Sequence, residues 1–272
     1  MRSFASGTTK VWLAVTAVCL WGGLLVGGAC AGETAARGRE VVSKWEKAVI
    51  TVRLTMKMRM SAEGRQVQEE EQTQEIRATV VDPSGLAVCS LAEADPAQMF
   101  ASMMESEEGG YKYEVDITAV KMRPADGKEI AAKVVLRDKD LDLAFIRPTE
   151  KLAQPLAAVD LSDASKVEML DDVLVIGRLG EAANRVASAT LDQIQAIMQK
   201  PRLLYVPGFN GMSSARGCPV FTLDGKIVGI LLNRIVSAGG SNMMEDDSGW
   251  MIVVLPAADV LEVAKQAPEA AQ

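Results

Sequence analysis

The most informative residue type in this sequence is a missing one, since none of the 272 residues is histidine. An imidazole is the general base of Ser–His–Asp and Cys–His sites and a common zinc ligand. Acidic clusters at Glu69–Glu71 and Glu245–Asp247 could attract a cation, but such runs are usually solvated loops. The sequence also lacks a phosphate-binding glycine loop, a dinucleotide fingerprint and an EF-hand. Histidine-based catalysis is therefore excluded, and we expect neither a metal nor a cofactor.

Two cysteines are available in the folded part of the chain. Cys19 and Cys30 lie in the N-terminal segment described below, which leaves Cys89 and Cys218. Two cysteines do not make the disulfide framework of a small secreted domain. Because a free cysteine packs as a small apolar side chain, we favour two separate buried thiols, with a single disulfide as the alternative.

Composition indicates a folded, acidic protein. Hydrophobic residues make up 49% of the chain and charged residues 24%, which is enough apolar material for one large or two small packed domains. The formal net charge is −7 at pH 7. Sequence-independent binding to nucleic acid requires a basic surface, so we do not expect a nucleic-acid partner.

Residues 1–31 have the pattern of a signal peptide. Two basic residues precede an uncharged stretch that ends in small residues, with Ala29 and Ala31 as the A-x-A pair of a cleavage site. The uncharged stretch is also about as long as a membrane span, and Cys30 could carry a lipid. A retained anchor and a lipoprotein are therefore the alternatives. All three interpretations place the folded part outside the cytoplasm, in the periplasm or at the cell envelope.

The remaining chain consists mainly of strand patterns. Val49–Met60 alternates apolar and polar residues, and the polar stretch Gln66–Arg77 leads back to a second strand, which predicts a long hairpin with its tip in solvent. Asp95-Pro96 has the pattern of a helix start, Pro148–Pro155 resembles a linker, and Asp259–Gln266 is expected to be a closing helix. Further strands are expected at Leu86–Leu91, Tyr111–Met122, Ile130–Leu136, Leu141–Ile146, Val173–Ile176, Arg185–Leu191, Leu203–Val206, Pro219–Thr222, Lys226–Asn233 and Trp250–Val254. Many short strands separated by turns predict an all-β chain of two barrels or sandwiches.

Four segments, in this order, resemble the trypsin-like serine proteases of the HtrA/Deg group. Val80–Ala92 is similar to the family strand "VIIDPDGYILTNNH", which ends at the catalytic histidine. Gly127–Ile146 is similar to "DGREFPAKVVGSDPRTDLALLK", which carries the catalytic aspartate. Ser214–Ile230 resembles "GNSGGPLLNLDGEVVGI", and Gly249–Pro256 resembles the "GFAIPI" strand that precedes the closing helix.

The resemblance implies an all-β fold of two antiparallel six-stranded barrels with a cleft between them and a short C-terminal helix. We expect the N-terminal barrel within residues 32–150 and the C-terminal barrel with its closing helix within residues 151–272. The family's histidine, aspartate and serine fall on Ala92, Asp142 and Arg216. The base and the nucleophile of the triad are both missing, so the resemblance implies a pseudo-protease.

Two arrangements of the former triad are open at this point. Arg216 either reaches across the cleft to pair with Asp142, or points to solvent while Asp142 caps a local backbone turn. Gly217 keeps one glycine of the family's serine motif, but a bulky Arg216 puts the shape of the oxyanion hole in doubt. The family positions of Cys89 and Cys218 approach each other, so the resemblance also makes a disulfide between them plausible.

Other nucleophiles lie beside the expected site. Ser213 and Ser214 lie shortly before the position of the family's serine, and a Ser/Lys dyad needs no histidine. No lysine is placed beside them by the sequence or by the family pattern, so we interpret both serines as turn residues. Cys218 lacks a base for the same reason.

The expected function follows from the groove that the resemblance implies. In the related proteases an extended substrate adds as a strand beside the segment after "VVGI", and backbone hydrogen bonds supply affinity. The cleft residues expected here are Ser213, Ser214, Arg216, Gly217, Asn233, Arg234, Ile235, Val236 and Ser237. We therefore expect a non-catalytic envelope protein that binds a peptide or protein partner, with membrane contact only through an uncleaved N-terminal segment. The alternatives are a residual or unconventional serine endopeptidase and a structural interaction protein that uses the hairpin Met56–Gln74.

Overall fold

The computed structural model describes residues 32–62, 65–95, 111–208, 215–235 and 250–269. Strands in these ranges form two closed antiparallel barrels of six strands each. The first barrel contains β1 (Val49–Ala62), β2 (Arg65–Asp82), β3 (Leu86–Ser90), β4 (Tyr111–Arg123), β5 (Ile130–Asp138) and β6 (Leu143–Pro148). The second contains β7 (Asp172–Arg178), β8 (Ala187–Met198), β9 (Leu204–Pro207), β10 (Pro219–Thr222), β11 (Ile227–Ile235) and β12 (Trp250–Pro256). With the closing helix described below, the predicted fold is confirmed.

The two barrels share one topology although the sequence has no internal repeat. The order around the first barrel is β1-β2-β3-β6-β5-β4, and the second barrel repeats it as β7-β8-β9-β12-β11-β10. A closed barrel leaves no unpaired sheet edge except where a strand outruns its neighbour. Such an overhang occurs on β11, whose pairing on the side of β10 ends at Leu231.

The predicted long hairpin is present in the first barrel. β1 pairs with β2 from Val49↔Thr79 to Ala62↔Arg65, and β4 pairs along the other side of β1. Val52, Leu54 and Met56 alternate into the buried core. Beyond Met56 the burial no longer alternates, because Lys57, Met58, Arg59 and Met60 are all half-buried.

Three α-helices accompany the strands in the described residues, together with short 3-10 helices at Glu46–Ala48 and Glu181–Ala183. The α-helices are α1 (residues 32–45), the short helix α2 (Leu91–Ala94) and α3 (Ala257–Ala264). The strand and helix patterns of the sequence did not predict α1. The helix expected from Asp95-Pro96 and the signal-like segment 1–31 lie outside the described residues. No helix within the described ranges has the length and apolar character needed to cross a membrane.

The two compact units of the chain do not coincide with its two barrels. Contacts divide the chain into residues 1–40 and Val41–Gln272, and both barrels lie within the second unit. One apolar cluster joins Val88 and Phe145 of the first barrel to Val220 and Phe221 of the second. Because the barrels share this buried cluster, the residues on both sides of the cleft have a fixed relation to each other.

Candidate functional site

Asp142 has a fixed seat at the edge of the first barrel. It lies in the turn between β5 and β6 with a left-handed backbone, φ 57°. Its Oδ1 accepts a hydrogen bond from the backbone N–H of Ala92 at 2.7 Å, and its Oδ2 accepts one from Ser90 Oγ at 2.8 Å. The backbone N–H of Leu91 also donates to the Asp142 carbonyl, at 3.0 Å. These bonds hold the junction of β3 and α2 against the aspartate.

Burial dominates the electrostatics of Asp142. Desolvation raises the pKa of this carboxyl to about 6, although the hydrogen bonds from Ala92 and Ser90 act in the opposite direction. The structure therefore places Ala92 next to Asp142, as the resemblance implied. The methyl group of Ala92 cannot accept a proton. Asp142 therefore has no imidazole to orient.

Arg216 does not pair with Asp142, which corrects one of the two arrangements considered above. Its Nε donates to Oε1 of Glu93 in α2 at 2.7 Å. The Arg216 side chain is 29% exposed and that of Glu93 15%, so Arg216 does not point to solvent either. The other part of that second arrangement is present, because Asp142 accepts the backbone N–H of Ala92 at the start of α2. Both oxygens of Asp142 already accept hydrogen bonds, whereas Glu93 offers a carboxylate that no backbone N–H occupies. The ion pair joins the second barrel to the first across the cleft between them.

Glu93 is only partly satisfied by this ion pair. Its Oε2 is buried and has no hydrogen-bond partner among the described residues. Burial raises the pKa of this carboxyl above its ordinary value, and the charges of Arg216 and Arg77 offset only part of the effect. A buried carboxylate with a free oxygen can accept a further donor, so the pair is incomplete as a structural contact.

Gly217 fixes the backbone beside Arg216. Its φ of +77° belongs to the left-handed region, and a Cβ atom here would come within 2.5 Å of the Arg77 carbonyl. Its N–H donates to the Leu231 carbonyl at 2.8 Å, and its carbonyl accepts from Thr79 Oγ1 at 2.7 Å. Because the N–H of Gly217 is already bonded, it does not point into the cleft as an oxyanion donor.

Cys89 and Cys218 are both buried and unbonded. The disulfide that the resemblance made plausible is absent because the two thiols point into different barrels. Cys89 Sγ approaches the Ala144 carbonyl at 3.5 Å, and Cys218 Sγ lies beside Gly177 of β7. Burial raises the pKa of Cys218 to about 12 and that of Cys89 well above its ordinary value, so neither thiol supplies a thiolate nucleophile at neutral pH.

One side of β11 is open beyond Leu231. Leu231 exchanges backbone hydrogen bonds with Gly217 and Cys218 on the side of β10. Two residues further, the N–H and C=O of Asn233 face the same side, because these groups alternate along an antiparallel strand. No described residue bonds them there, and β12 pairs with Asn233 only on the other side, opposite Ile252. The side-chain Oδ1 of Asn233 is also buried without a hydrogen-bond partner in the described part of the chain.

The far wall of this open edge belongs to the first barrel. Arg234 Nη1 donates to the Asp140 carbonyl at 2.5 Å, which ties β11 to the turn that carries Asp142. Of the other predicted cleft residues, Ile235 is described in its backbone only. Ser213, Ser214, Val236 and Ser237 lie outside the described residues, as does the acidic cluster Glu245–Asp247.

Sequence reasoning did not find Glu93 as the partner of Arg216. The available signal was its position one residue after Ala92, on the same side of the cleft as Asp142. Within the described ranges, no group of three or more His, Cys, Asp or Glu side chains could hold a metal ion. A surface groove of about 850 Å³ lies along the linker and the β4–β5 turn, but none of the predicted site residues lines it.

Part of the chain matches a known protein family. A family model described as a trypsin-like peptidase domain matches residues 103–230, a little under half of the chain. The match includes Asp142, Arg216 and the first part of β11, and it begins after Ala92. A search of curated proteins finds no match. The matched segment is similar to a trypsin-like peptidase domain, and the two six-stranded barrels have the trypsin-like fold.

Proposed function

We propose that this chain, which has the trypsin-like fold, is a non-catalytic protein of HtrA/Deg type that binds an extended peptide in its cleft. The observation that carries the proposal is the Arg216–Glu93 ion pair, which stands where the fold's nucleophile and base would act. Acyl transfer by this fold needs a serine and an imidazole, and Arg216 and Ala92 supply neither. A guanidinium that is always charged is also unsuited to act as a base or a nucleophile.

The open side of β11 supports peptide binding. The backbone N–H and C=O of Asn233 have no partner among the described residues, and the groove floor is fixed by the β11–β12 pairing. A peptide that pairs there as an added strand satisfies these groups without any catalytic residue. Loss of the triad therefore leaves the binding edge intact.

We further propose that the protein is exported to the periplasm or the cell envelope. This part rests on the signal-like pattern of residues 1–31, with a cleavage site at Ala29 and Ala31. Mass spectrometry of the protein purified from an envelope fraction tests it. A mature N-terminus at Gly32 supports cleavage and export, whereas recovery of the uncleaved chain from the cytosol contradicts both.

Binding is tested with fluorescein-labelled, reduced and carboxymethylated casein, a permanently unfolded chain. We expect saturable binding in a fluorescence anisotropy titration of the purified full-length protein. Asn233→Pro removes the N–H that faces the groove, whereas the strand's hydrogen bonds to β12 come from Leu232 and Arg234. This variant should weaken binding by about tenfold, a loss of one or two hydrogen bonds. Asn233→Ala keeps the backbone donor and should bind more tightly than Asn233→Pro.

The outcomes of this titration separate the groove from other surfaces. Absence of saturable binding by the folded wild-type protein overturns the proposed function. Equal binding by Asn233→Pro and the wild type removes the β11 edge from the site. Circular dichroism and thermal melting of each variant establish that it is folded before binding is compared.

A second candidate site is the hairpin. Met58 and Met60 are half-buried on the face of the hairpin that carries the buried Met56, and Val115 of β4 pairs opposite Met58 on the same face. This face could hold an apolar partner. A Met58→Gln, Met60→Gln double variant that loses casein binding, while Asn233→Pro keeps it, assigns the function to the hairpin instead of the cleft.

A further inference from the structure

The direction of a peptide bound at β11 is set by the strands around it. β10 is antiparallel to β11 and pairs with it as far as Ile230, and Gly217 and Cys218 extend that pairing to Leu231. A peptide that continues the same antiparallel pairing occupies the open side from Ile235 back toward Leu232. Its amino end then lies near Ile235, and its carboxyl end points at Arg216 and Gly217.

Arg216 has donors available at that end of the groove. Its Nε is held by Glu93, and neither Nη atom has a hydrogen-bond partner in the described part of the chain. The free Nη pair of a guanidinium forms a planar fork that binds a carboxylate with two parallel hydrogen bonds. Because Glu93 anchors the opposite edge of the guanidinium, the fork is oriented before a ligand arrives.

We propose that Arg216 binds the C-terminal carboxylate of a peptide, so that the cleft captures chain ends with the form of proteolytic products. This inference rests on the proposed function, because it assigns the ligand class of the same groove. In an active protease of this fold, the side chain at the position of Arg216 attacks the scissile carbonyl. Here Arg216 instead binds the carboxylate of a peptide that another protease has already released. Proteases that release peptides with free carboxyl ends would supply such ligands.

Two features of the site favour a chain end over a chain that passes through. The Arg216–Glu93 ion pair links the two barrels at the end of the groove, so a longer chain would have to displace it. The turn at Ala215–Cys218, closed by a hydrogen bond from Cys218 N to the Ala215 carbonyl at 3.1 Å, also stands at this end. A peptide that terminates at Arg216 needs to displace neither.

The local charges are compatible with a bound carboxylate. Arg216 influences the carboxyl groups of both Glu93 and Asp142, and Arg77 is a second cation close enough to influence Glu93. Two arginines thus act on these carboxyl groups before the ligand binds. The carboxylate of a ligand binds the Nη atoms and leaves the Nε contact to Glu93 in place.

The test uses three matched libraries of fluorescein-labelled hexapeptides in anisotropy titrations with the full-length protein. The first library has free C-terminal carboxylates, the second has the same sequences with C-terminal amides, and the third has amide ends with one internal glutamate. We expect the free acids to bind at least tenfold more tightly than the amides, the range of a charge-assisted hydrogen bond. Arg216→Ala should remove this difference, and Arg216→Lys should retain part of it because lysine keeps the charge but not the fork.

A control variant accounts for general charge effects. Lys226→Ala removes an exposed cation from the turn before β11, and it should leave the preference for free acids unchanged. The Arg216→Lys arm keeps the test informative if Arg216→Ala does not fold.

Each outcome decides between the two proposals. Equal affinity for acids and amides overturns the inference and leaves the proposed function standing. Tight binding of the internal-glutamate library, equal to that of the free acids, assigns Arg216 to acidic side chains and also overturns it. If none of the libraries binds to the folded protein, the proposed function and the inference fail together.

Discussion

Two of the arginine–glutamate contacts between the barrels differ in how completely the carboxylate is satisfied. Glu75 of β2 accepts hydrogen bonds from Nε of Arg185 at 3.0 and 3.1 Å and from Nη2 of Arg53 at 3.2 Å. Glu93 accepts one bond, from Arg216, and its second oxygen is buried without a partner among the described residues. Both glutamates belong to the first barrel, while Arg185 and Arg216 belong to the second.

The pKa values of the two glutamates move in opposite directions. Burial acts to raise the pKa of Glu75, but hydrogen bonds from Arg185 and Arg53 outweigh it and hold that pKa below its ordinary value. At Glu93 burial prevails and the pKa is raised. A saturated ion pair with a lowered pKa stabilises the fold, whereas the incomplete pair leaves the Nη atoms of Arg216 without a partner in the described part of the chain and open to a ligand. The first contact is therefore structural, and the second belongs to the site.

The largest expected effect concerns pH and the aspartate beside Glu93. The folded-state pKa of Asp142 is raised from 3.8 to about 6, so the folded state binds this proton more tightly than the unfolded state. The contribution of Asp142 is most favourable below about pH 4 and is lost as the pH rises through about 6. At neutral pH this amounts to about 3 kcal/mol of lost stability.

Asp142→Asn tests this directly, because the amide oxygen still accepts from Ala92 N–H. Urea unfolding at pH 4 and pH 7 should give a smaller loss of stability with rising pH in the variant than in the wild type. Identical pH profiles for the two proteins would contradict the raised pKa.

The second effect concerns the saturated contact. Glu75→Gln removes a charge that Arg185 and Arg53 share, and we expect the free energy of unfolding to fall by about 2 kcal/mol at pH 7. Because the pKa of Glu75 is lowered, its contribution is present above the ordinary glutamate pKa and is lost as the pH falls. The difference between the wild type and Glu75→Gln should therefore shrink in acid. Equal stability of the two proteins at pH 7 would show that this contact is not structural.

The smallest effect is expected from the same substitution in the cleft. Glu93→Gln removes a carboxylate whose burial is only partly compensated, and the Arg216 that remains is 29% exposed and can be hydrated, so the free energy of unfolding should change by less than about 1 kcal/mol. The amide oxygen still accepts from Arg216 Nε, but without its charge it holds the guanidinium less firmly, so binding of free-acid peptides should weaken. A loss of stability as large as that of Glu75→Gln would mean that the two contacts are alike, and the distinction between them would fail.

Much of the fold could be predicted from the sequence because it depends on local patterns. The alternation of Val49–Met60 shows in the sequence which face of β1 is buried, and the turns between apolar runs mark most strand limits. The placement of Ala92 beside Asp142 followed from two segments that resemble the family, Val80–Ala92 and the one that carries Asp142. This contact is made by the backbone of residue 92, so the loss of the histidine side chain did not disturb it.

Other features depended on distant contacts. The sequence patterns did not predict α1 because its apolar face within the second unit is short. Its contacts there come from Trp45, which stacks on Phe221 with ring centroids 5.6 Å apart and donates to the Gly225 carbonyl at 3.2 Å. The choice of Arg216 between Glu93 and Asp142 depended on which carboxylate was already occupied by hydrogen bonds. Neither condition is readable from the spacing of the residues.

The central claim is that the cleft no longer carries out acyl transfer, and a single time course tests it most directly. The purified protein is incubated with unfolded casein and, in parallel, with a fluorophosphonate probe that labels activated serines, beside Ser213→Ala and Ser214→Ala variants. The account predicts no casein cleavage and no labelling by any of the three proteins. Cleavage and labelling by the wild type that disappear in one serine variant would contradict it, and the chain would then be an unconventional serine endopeptidase.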